Sequence, residues 1–396
     1  MIFIIPIVGV ALLIYLPARE KSTRRYLTLL YTLKIGIVTY VSCIVTLRFV
    51  YPYLFNGWTL NEYILGNWRQ LSSFDGPTTS FPPGIQWIGV HQYQLILDMV
   101  IWGLGIPLGI FALLSIAYYF LKALRNTSTK IVLIPLAWIL IVMIYQSLQF
   151  AKTMRYLLPI YPTICVMSGM FLFTIYQRIS HKMHLRYFVI LLLCLLLPWP
   201  LAFISIYTHQ NTRIAASTWI YTHIPKNSTI AWEHWDDPLP LSVGSNTINT
   251  YKTVQLPMYN PDSQEKWASL SKTLATTDYI VLSSNRVYGG TSRAIHRYPY
   301  TSIYYTKLFR GLLGFTKIAE FTSRPRLMFP TRPICISIPG FMYGFVAHDN
   351  TCTTPGIHIV DDYAEESFTV YDHPKIIILQ NTQYLSSDTI FTRIYE

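Results

Sequence analysis

AKTMRYLLPIYP, residues 151–162, lies between two long apolar runs and decides how the first half of the chain is interpreted. Lys152 and Arg155 stand where the chain leaves one run and turns directly into the next. A cation at such a boundary either reaches along its stem to the membrane interface or holds an anionic ligand. The first interpretation fits Lys152. Arg155 favours the second, because prolines and tyrosines make RYLLPIYP a stiff turn that would hold the guanidinium at the depth of a phosphate group.

Charge divides the chain into two unequal halves. Residues 1–207 carry 15 Lys and Arg against 4 Asp and Glu, whereas residues 208–396 carry 16 against 15. The net charge of +12 is therefore +11 in the first half and +1 in the second. The basic residues of the first half cluster in short gaps between apolar runs, which is typical of a membrane protein and not of a nucleic-acid-binding domain.

Six apolar runs are long enough to cross a bilayer, namely residues 1–16, 26–50, 95–121, 131–150, 157–177 and 187–207. Alternate gaps between these runs contain ten basic residues, and the opposite gaps contain three. The positive-inside rule therefore predicts that loop 51–94, the turn at 151–156 and the entire tail lie outside the cytoplasm. We predict a polytopic α-helical membrane domain over residues 1–207, with about six transmembrane helices in the cell inner (plasma) membrane. A soluble extracytoplasmic α/β domain is predicted to follow over residues 208–396.

Two of the runs have additional features. The first begins without the charged region and the cleavage site of a secretory signal. We therefore expect the sequence to be the C-terminal part of a longer membrane protein, the alternative being a native helix that starts outside. In the third run, Gly105 and Gly109 flank Pro107, a pattern that favours a kinked helix packed closely on a neighbour.

Polar side chains of the external loop 51–94 are predicted on the same side of the membrane as Arg155. Together with Tyr156 they would line an outward-facing cavity on the acceptor side: Glu62, Arg69, Asp75 and His91. Arg69 is also a third, weaker candidate for binding a phosphate, after Arg155 and Lys152.

The tail after residue 207 has the pattern of an α/β fold. Strand-like runs are STIAWEH, DYIVLSS, FTKIAEF and KIIILQ, and helix-like runs are SQEKWASLSKTLAT and SIYYTKLFRGLLG. Strands that alternate with helices favour a small mixed sheet with helical cover.

Two acidic segments of the tail are candidates for chemistry. WEHWDDPLP contains four polar side chains that could bind a divalent cation or act as acid and base on a sugar hydroxyl: Glu233, His234, Asp236 and Asp237. The structural interpretation, a polar turn closed by two prolines, is favoured over this one. DDYAEESFTVYDHP, residues 361–374, is likewise interpreted as a solvated loop that leads into the final strand rather than as an acidic site.

The cysteines show no zinc-binding spacing. Cys335 and Cys352 both lie in the polar half, and a disulfide between them is left open because it depends on the compartment.

Several segments resemble a known family. These are RYLLPIYP, FPPGIQW followed by DMVIWGLGIPLG, and the tail strings WIYTHIPKNSTIAWEHWDDPLPL, DYIVLSSNRVYG, RYPYTSIYYTKLFRGLLGF and EESFTVYDHPKI. They resemble the C-terminal half of bacterial polyprenyl-phosphate-dependent glycosyltransferases of the GT-C fold and the family 39 type. These membrane enzymes are related to protein O-mannosyltransferases and aminoarabinose transferases.

The resemblance implies inverting transfer of a sugar from a polyprenyl phosphate to a glycan, lipid or protein acceptor at the outer membrane face. It also implies a catalytic acidic residue in a first external loop, which would lie upstream of Met1, so the catalytic residue is not assigned here. On physical grounds a lipid-linked donor keeps its phosphate at the interface, where a guanidinium stabilises the departing charge. Arg155 is our choice for that role, with Lys152 assisting. A transporter-like subunit and a non-catalytic scaffold that displays the tail are the competing interpretations.

Overall fold

The structure is a computed structural model that describes residues 22–57, 59–77, 82–125, 131–179, 182–337 and 352–395. The first apolar run, residues 1–16, lies outside the described residues. The α-helices are α1 Ser22–Val50, α2 Glu62–Ser73, α3 Gln94–Asp98, α4 Ile106–Arg125, α5 Leu133–Leu148, α6 Tyr161–Arg178, α7 Lys182–Leu196, α8 Pro198–Ile204, α9 Thr212–His223, α10 Gln264–Ala275, α11 Arg286–Thr291, α12 Pro299–Phe309, α13 Glu366–Thr369 and α14 Ser387–Tyr395.

The strands are β1 Phe55–Asn56, β2 Thr59–Leu60, β3 Thr229–Glu233, β4 Lys252–Leu256, β5 Tyr279–Leu282, β6 Phe315–Phe321, β7 Arg326–Leu327, β8 Pro333–Ser337, β9 Gly356–Val360 and β10 Ile376–Asn381. All four strands and both helices predicted in the tail are confirmed. Other elements of the tail were not predicted, including β4, the sheet formed by β7, β8 and β9, and the helices α9 and α14. Helix α12 ends earlier than its apolar run because Gly311 follows it in the left-handed region, at φ 72°.

Four described helical segments are long and apolar enough to cross a membrane: Leu33–Val50, Ile106–Arg125, Met154–Arg178 and Arg186–His223. Two further apolar helices, Gln94–Gly103 and Leu133–Leu148, are shorter. This set fits a polytopic membrane protein, and the predicted number of six spans is not confirmed.

The third predicted run, residues 95–121, is not one helix. Helix α3 continues into a π-helical turn, Met99–Gly103, and α4 begins at Ile106. Gly105 between them has φ 78°, and a Cβ at this position would lie 2.4 Å from Cγ of Trp199. The predicted close packing at Gly105 is therefore confirmed, but the single long helix is wrong, because the helical segments are interrupted at Leu104 and Gly105.

The chain forms two compact units. The first contains the described residues of Met1–Gly76, Ile106–Gln149 and Arg155–Val189, and the second those of Pro77–Gly105, Phe150–Met154 and Ile190–Glu396. In the first unit, α4 packs on α6 through a hydroxyl pair, with Ser115 Oγ 3.4 Å from Ser168 Oγ. Contacts therefore join residues 77–105 and 150–154 to the tail, whereas the domain boundary at residue 207 stays a prediction.

The second unit is built on a five-stranded mixed sheet in the order β4-β3-β5-β10-β6. Strands β4, β3 and β5 are parallel, and β10 runs antiparallel to both of its neighbours. Successive residues of β3 and of β5 belong to two different core clusters. Ala231, Ile280 and Leu282 belong to one cluster, and Ile230 and Val281 belong to the other. Both faces of the sheet are therefore covered, as expected of an α/β layer fold.

Candidate functional site

Residues 151–162 are divided between the two units, with the boundary between Met154 and Arg155. Arg155 is exposed in the first unit, where its guanidinium carbon lies 5.6 Å from the ring centre of Tyr156. Lys152 belongs to the second unit and is 5 % exposed, and its Nζ donates to the carbonyl oxygen of Phe150 at 3.3 Å. Lys152 is therefore a buried cation rather than a snorkelling one, which corrects the interpretation made from its position.

The predicted cavity residues are also distributed over both units. Glu62, Arg69 and Asp75 are exposed residues of the first unit. His91 is an exposed residue of the second unit and stacks on Tyr93, with ring centres 5.2 Å apart. The outward-facing cavity stays a prediction.

The carboxyl groups of WEHWDD lie at the end of β3 and directly after it, and each has its own protein partner. Tyr305 donates a hydrogen bond to Glu233, Ser284 donates to Asp236 at 2.7 Å, and Arg213 pairs with the exposed Asp237 at 3.1 Å. Among the residues that the structure describes, no group of three or more His, Cys, Asp or Glu is placed to hold a metal ion. The turn interpretation fits this arrangement. His234 lies beside Trp235, whose backbone takes the left-handed conformation at φ 74°.

The acidic segment 361–374 is not a solvated loop, which corrects the expectation from its composition. Asp361, Asp362, Glu365 and Glu366 are each no more than 6 % exposed. The segment connects β9 to β10 and contains helix α13, and it is buried because all three elements belong to the second unit.

Glu365 is the carboxyl group at the centre of the candidate site. Its Oε1 accepts the backbone N–H of Met154 at 3.1 Å, and the Ser367 hydroxyl donates to the same oxygen. Its Oε2 is buried without a hydrogen-bond partner in the described part of the chain. Burial raises the pKa of Glu365 to about 8; the hydrogen bond from Ser367 lowers it, and the charge of Asp98 raises it. The group is therefore mostly protonated at neutral pH and titrates close to it.

Four aromatic rings form an aromatic cluster beside Glu365. Phe368 lies 5.2 Å from Trp102, 6.3 Å from Trp199 and 5.7 Å from Phe203, measured between ring centres. Ala364 and Phe368, which flank Glu365 in the chain, belong to the same apolar core as Trp102. The indole N–H of Trp102 is buried and has no hydrogen-bond partner among the described residues. The cluster keeps water away and leaves polar groups at its edge.

Glu366 faces a different environment. Arg286 Nε donates to it at 2.5 Å and Gln86 Nε2 at 2.8 Å. The same guanidinium donates to the carbonyl oxygen of Trp235 at 2.7 Å, and Arg286 N–H donates to Ser284 Oγ, which also binds Asp236. A polar network thus runs from Glu366 to the carboxyl ends of β3 and β5. Ligands of open α/β sheets bind at such edges.

Sequence reasoning missed Glu365, Glu366 and the aromatic cluster. The contacts that build the site join residues more than two hundred positions apart, such as Met154 with Glu365. One signal was available, because four acidic residues within six positions of the 361–366 segment are unusual next to an apolar strand.

Residues 100–241 match the family model of the Alg9-like mannosyltransferase family. The match covers about a third of the chain and supports a mannosyltransferase-like membrane glycosyltransferase. It contains Lys152 and three rings of the aromatic cluster, Trp102, Trp199 and Phe203. Searches with the whole chain found no similar curated protein and no similar solved structure.

Proposed function

We propose that the protein is a GT-C-type glycosyltransferase that takes a sugar from a polyprenyl-phosphate carrier and transfers it to an acceptor at the outer membrane face. The observation that carries this proposal is the family match over residues 100–241. The matched stretch supplies Trp102, Lys152 and Trp199, and these pack in one unit with Glu365. We extend the proposal to the topology, with loop 51–94 and the tail outside.

The chemistry needs a base for the acceptor and a cation for the leaving group. The acceptor oxygen attacks the anomeric carbon, the bond from that carbon to the phosphate oxygen breaks, and the electron pair leaves with the lipid phosphate. The acceptor proton passes to Glu365 in its carboxylate form. A base with a pKa near the working pH is efficient in such a step. The aromatic cluster would exclude water, which otherwise hydrolyses the donor.

Two cations are proposed for the phosphate. Lys152 lies two residues before Met154, whose N–H donates to Glu365, so the buried ammonium belongs to the segment that contacts the proposed base. Arg155 keeps the role predicted from the sequence, with its planar fork on the lipid phosphate. Both stabilise charge that grows as the phosphate departs.

The test is turnover of the Glu365→Gln variant in proteoliposomes with a polyprenyl-phosphate-linked mannose donor. General acid–base catalysis contributes about 10²–10⁴-fold, so a loss in this range is expected. Glu265→Gln is the matched control, since Glu265 is exposed on α10. Below about pH 8 the wild-type rate should rise with pH, and the variant should lack this rise. Turnover of Glu365→Gln at the wild-type rate would remove Glu365 from the mechanism. Wild-type protein without any transfer activity would overturn the function itself.

A further inference from the structure

A second polar pocket of the second unit lies away from Glu365. It has a volume of about 230 Å³, and the described residues that line it include His209, Arg324, Arg326, Thr354 and His358. Two guanidinium groups and two imidazoles thus face one space. At about 30 Å³ for each water molecule, the pocket has room for a small polyatomic ion and several waters.

Arg326 holds a charge that no carboxylate in the described part of the chain neutralises. Its Nη1 donates to Thr354 Oγ1 at 2.9 Å, and its Nη2 lies 2.9 Å from Nε2 of His209. Neither of these partners is a carboxylate. Its buried Nε has no hydrogen-bond partner among the described residues. A buried guanidinium donor without an acceptor is costly, and an anion is the partner that satisfies it best.

The neighbouring groups add to the positive field. Arg324 lies in the same pocket and pairs with Asp362 at 3.2 Å, but that carboxylate also binds Lys375 at 3.1 Å. Asp362 is therefore shared between two cations. Burial lowers the pKa of His358, the hydrogen bond with the Thr354 carbonyl raises it, and the charges of Arg326 and Arg324 lower it. The local charge thus favours a negative ligand.

The pocket lies beside the turn that follows the apolar helix α8. Ser205 Oγ, in the turn after α8, accepts the backbone N–H of Arg326 at 2.9 Å. Leu197, Leu201 and Ile204 in and beside α8 are exposed, and this segment belongs to a helix that is long and apolar enough to cross a membrane. Exposed apolar residues beside a cationic pocket suit a membrane surface, where the phosphates of lipid headgroups lie.

We propose that this pocket, formed by Arg326, Arg324, His209 and Thr354, binds a phosphate group. The planar fork of Arg326 suits phosphate, because it offers parallel N–H donors to two oxygens. The phosphate comes either from a lipid headgroup or from a free phosphate ion. The proposal does not depend on glycosyl transfer, since it concerns binding alone.

The experiment uses the full chain in detergent and two probes, inorganic phosphate and a short-chain phosphatidylglycerol below its micellar concentration. Isothermal titration calorimetry measures the affinity of wild type, Arg326→Gln and the control Arg310→Gln, which changes an exposed arginine after α12. Loss of one charge-assisted donor should weaken binding about ten- to a hundredfold in Arg326→Gln only. Tighter binding of the lipid identifies the headgroup as the source, and tighter binding of phosphate identifies the free ion.

Either source supports the site, whereas the absence of any binding heat in wild type with both probes overturns it. Equal affinity of wild type and a folded Arg326→Gln variant overturns it as well. Arg326→Lys keeps the charge but not the fork, and it serves where Arg326→Gln does not fold. Its affinity should be lower than that of wild type, and wild-type affinity in Arg326→Lys would contradict the role of the fork.

Discussion

The stability of the protein should fall as pH rises from about 5 to about 9, because two buried glutamates are held in their protonated form. Burial raises the pKa of Glu233 from 4.5 to about 8; the hydrogen bond from Tyr305 lowers it, and the charge of Asp236 raises it. Burial raises the pKa of Glu365 from 4.5 to about 8 in the same way. Between the unfolded pKa of 4.5 and the folded pKa of about 8, the folded chain binds more protons than the unfolded chain. Stability is therefore complete below the unfolded pKa and is lost as pH rises through the folded one.

The magnitude follows from the two shifts. One pKa unit corresponds to about 1.4 kcal/mol, so each glutamate lowers the free energy of unfolding by roughly 5 kcal/mol across this range. Burial lowers the pKa of His373, but hydrogen bonds with Asp361 and Asp372 raise it to about 9. Its contribution is lost in the same direction at the upper end of the range. At about 2–4 °C for each kcal/mol, the Tm should fall by at least about 20 °C.

The assay is thermal unfolding of the full chain in detergent, followed by tryptophan fluorescence over this pH range. Glu365→Gln keeps the size of the side chain but cannot ionise, so its Tm should depend on pH less steeply than that of the wild type. Glu265→Gln, on an exposed helix position, should follow the wild type. A Tm that stays constant or rises with pH, or an unchanged slope in Glu365→Gln, would refute the reasoning.

Two further predictions concern the turn at 151–162 and Gly105 before α4. In the transfer assay, Arg155→Lys should lower the rate substantially and Arg155→Ala still more, about ten- to a hundredfold, because Lys keeps the charge but not the fork; Lys152→Ala should lose less. A wild-type rate in Arg155→Ala would show that the turn is structural only. Gly105→Ala should destabilise the protein by about 1–3 kcal/mol, because the new methyl group meets Trp199 at a positive φ. Its control in the same melting experiment is Gly66→Ala, where no heavy atom lies within 4 Å, and equal Tm values would contradict the prediction.

Local patterns predicted the regular elements of the tail well. The apolar runs in DYIVLSS and KIIILQ predicted β5 and β10, because a strand that is buried on both faces needs apolar residues at successive positions. The glycine and proline pattern around Gly105 likewise predicted the close packing there. These are properties of neighbours in the sequence.

The candidate site could not be predicted, because it depends on what covers each segment. Hydropathy identifies residues 95–104 as apolar, but it does not show that Trp102 packs on Phe368 in the tail rather than on lipid. Composition identifies residues 361–366 as acidic, but Gln86 and Arg286 are the groups that hold Glu366 inside the fold. Charge counting likewise placed Lys152 at an interface, whereas tertiary packing buries it.

Glu365 and Glu366 are adjacent, but their surroundings give them different roles. Arg286 lies 2.5 Å from Glu366, and this cation offsets part of the cost of burying a carboxylate. Glu365 has no ion pair in the described part of the chain, so the protonated form is the one that burial favours. Pairs of carboxyl groups whose environments differ in this way are the usual source of acid–base function. Glu366 therefore fixes the geometry of the segment through Arg286, while Glu365 is the group that we propose as the base for the acceptor hydroxyl.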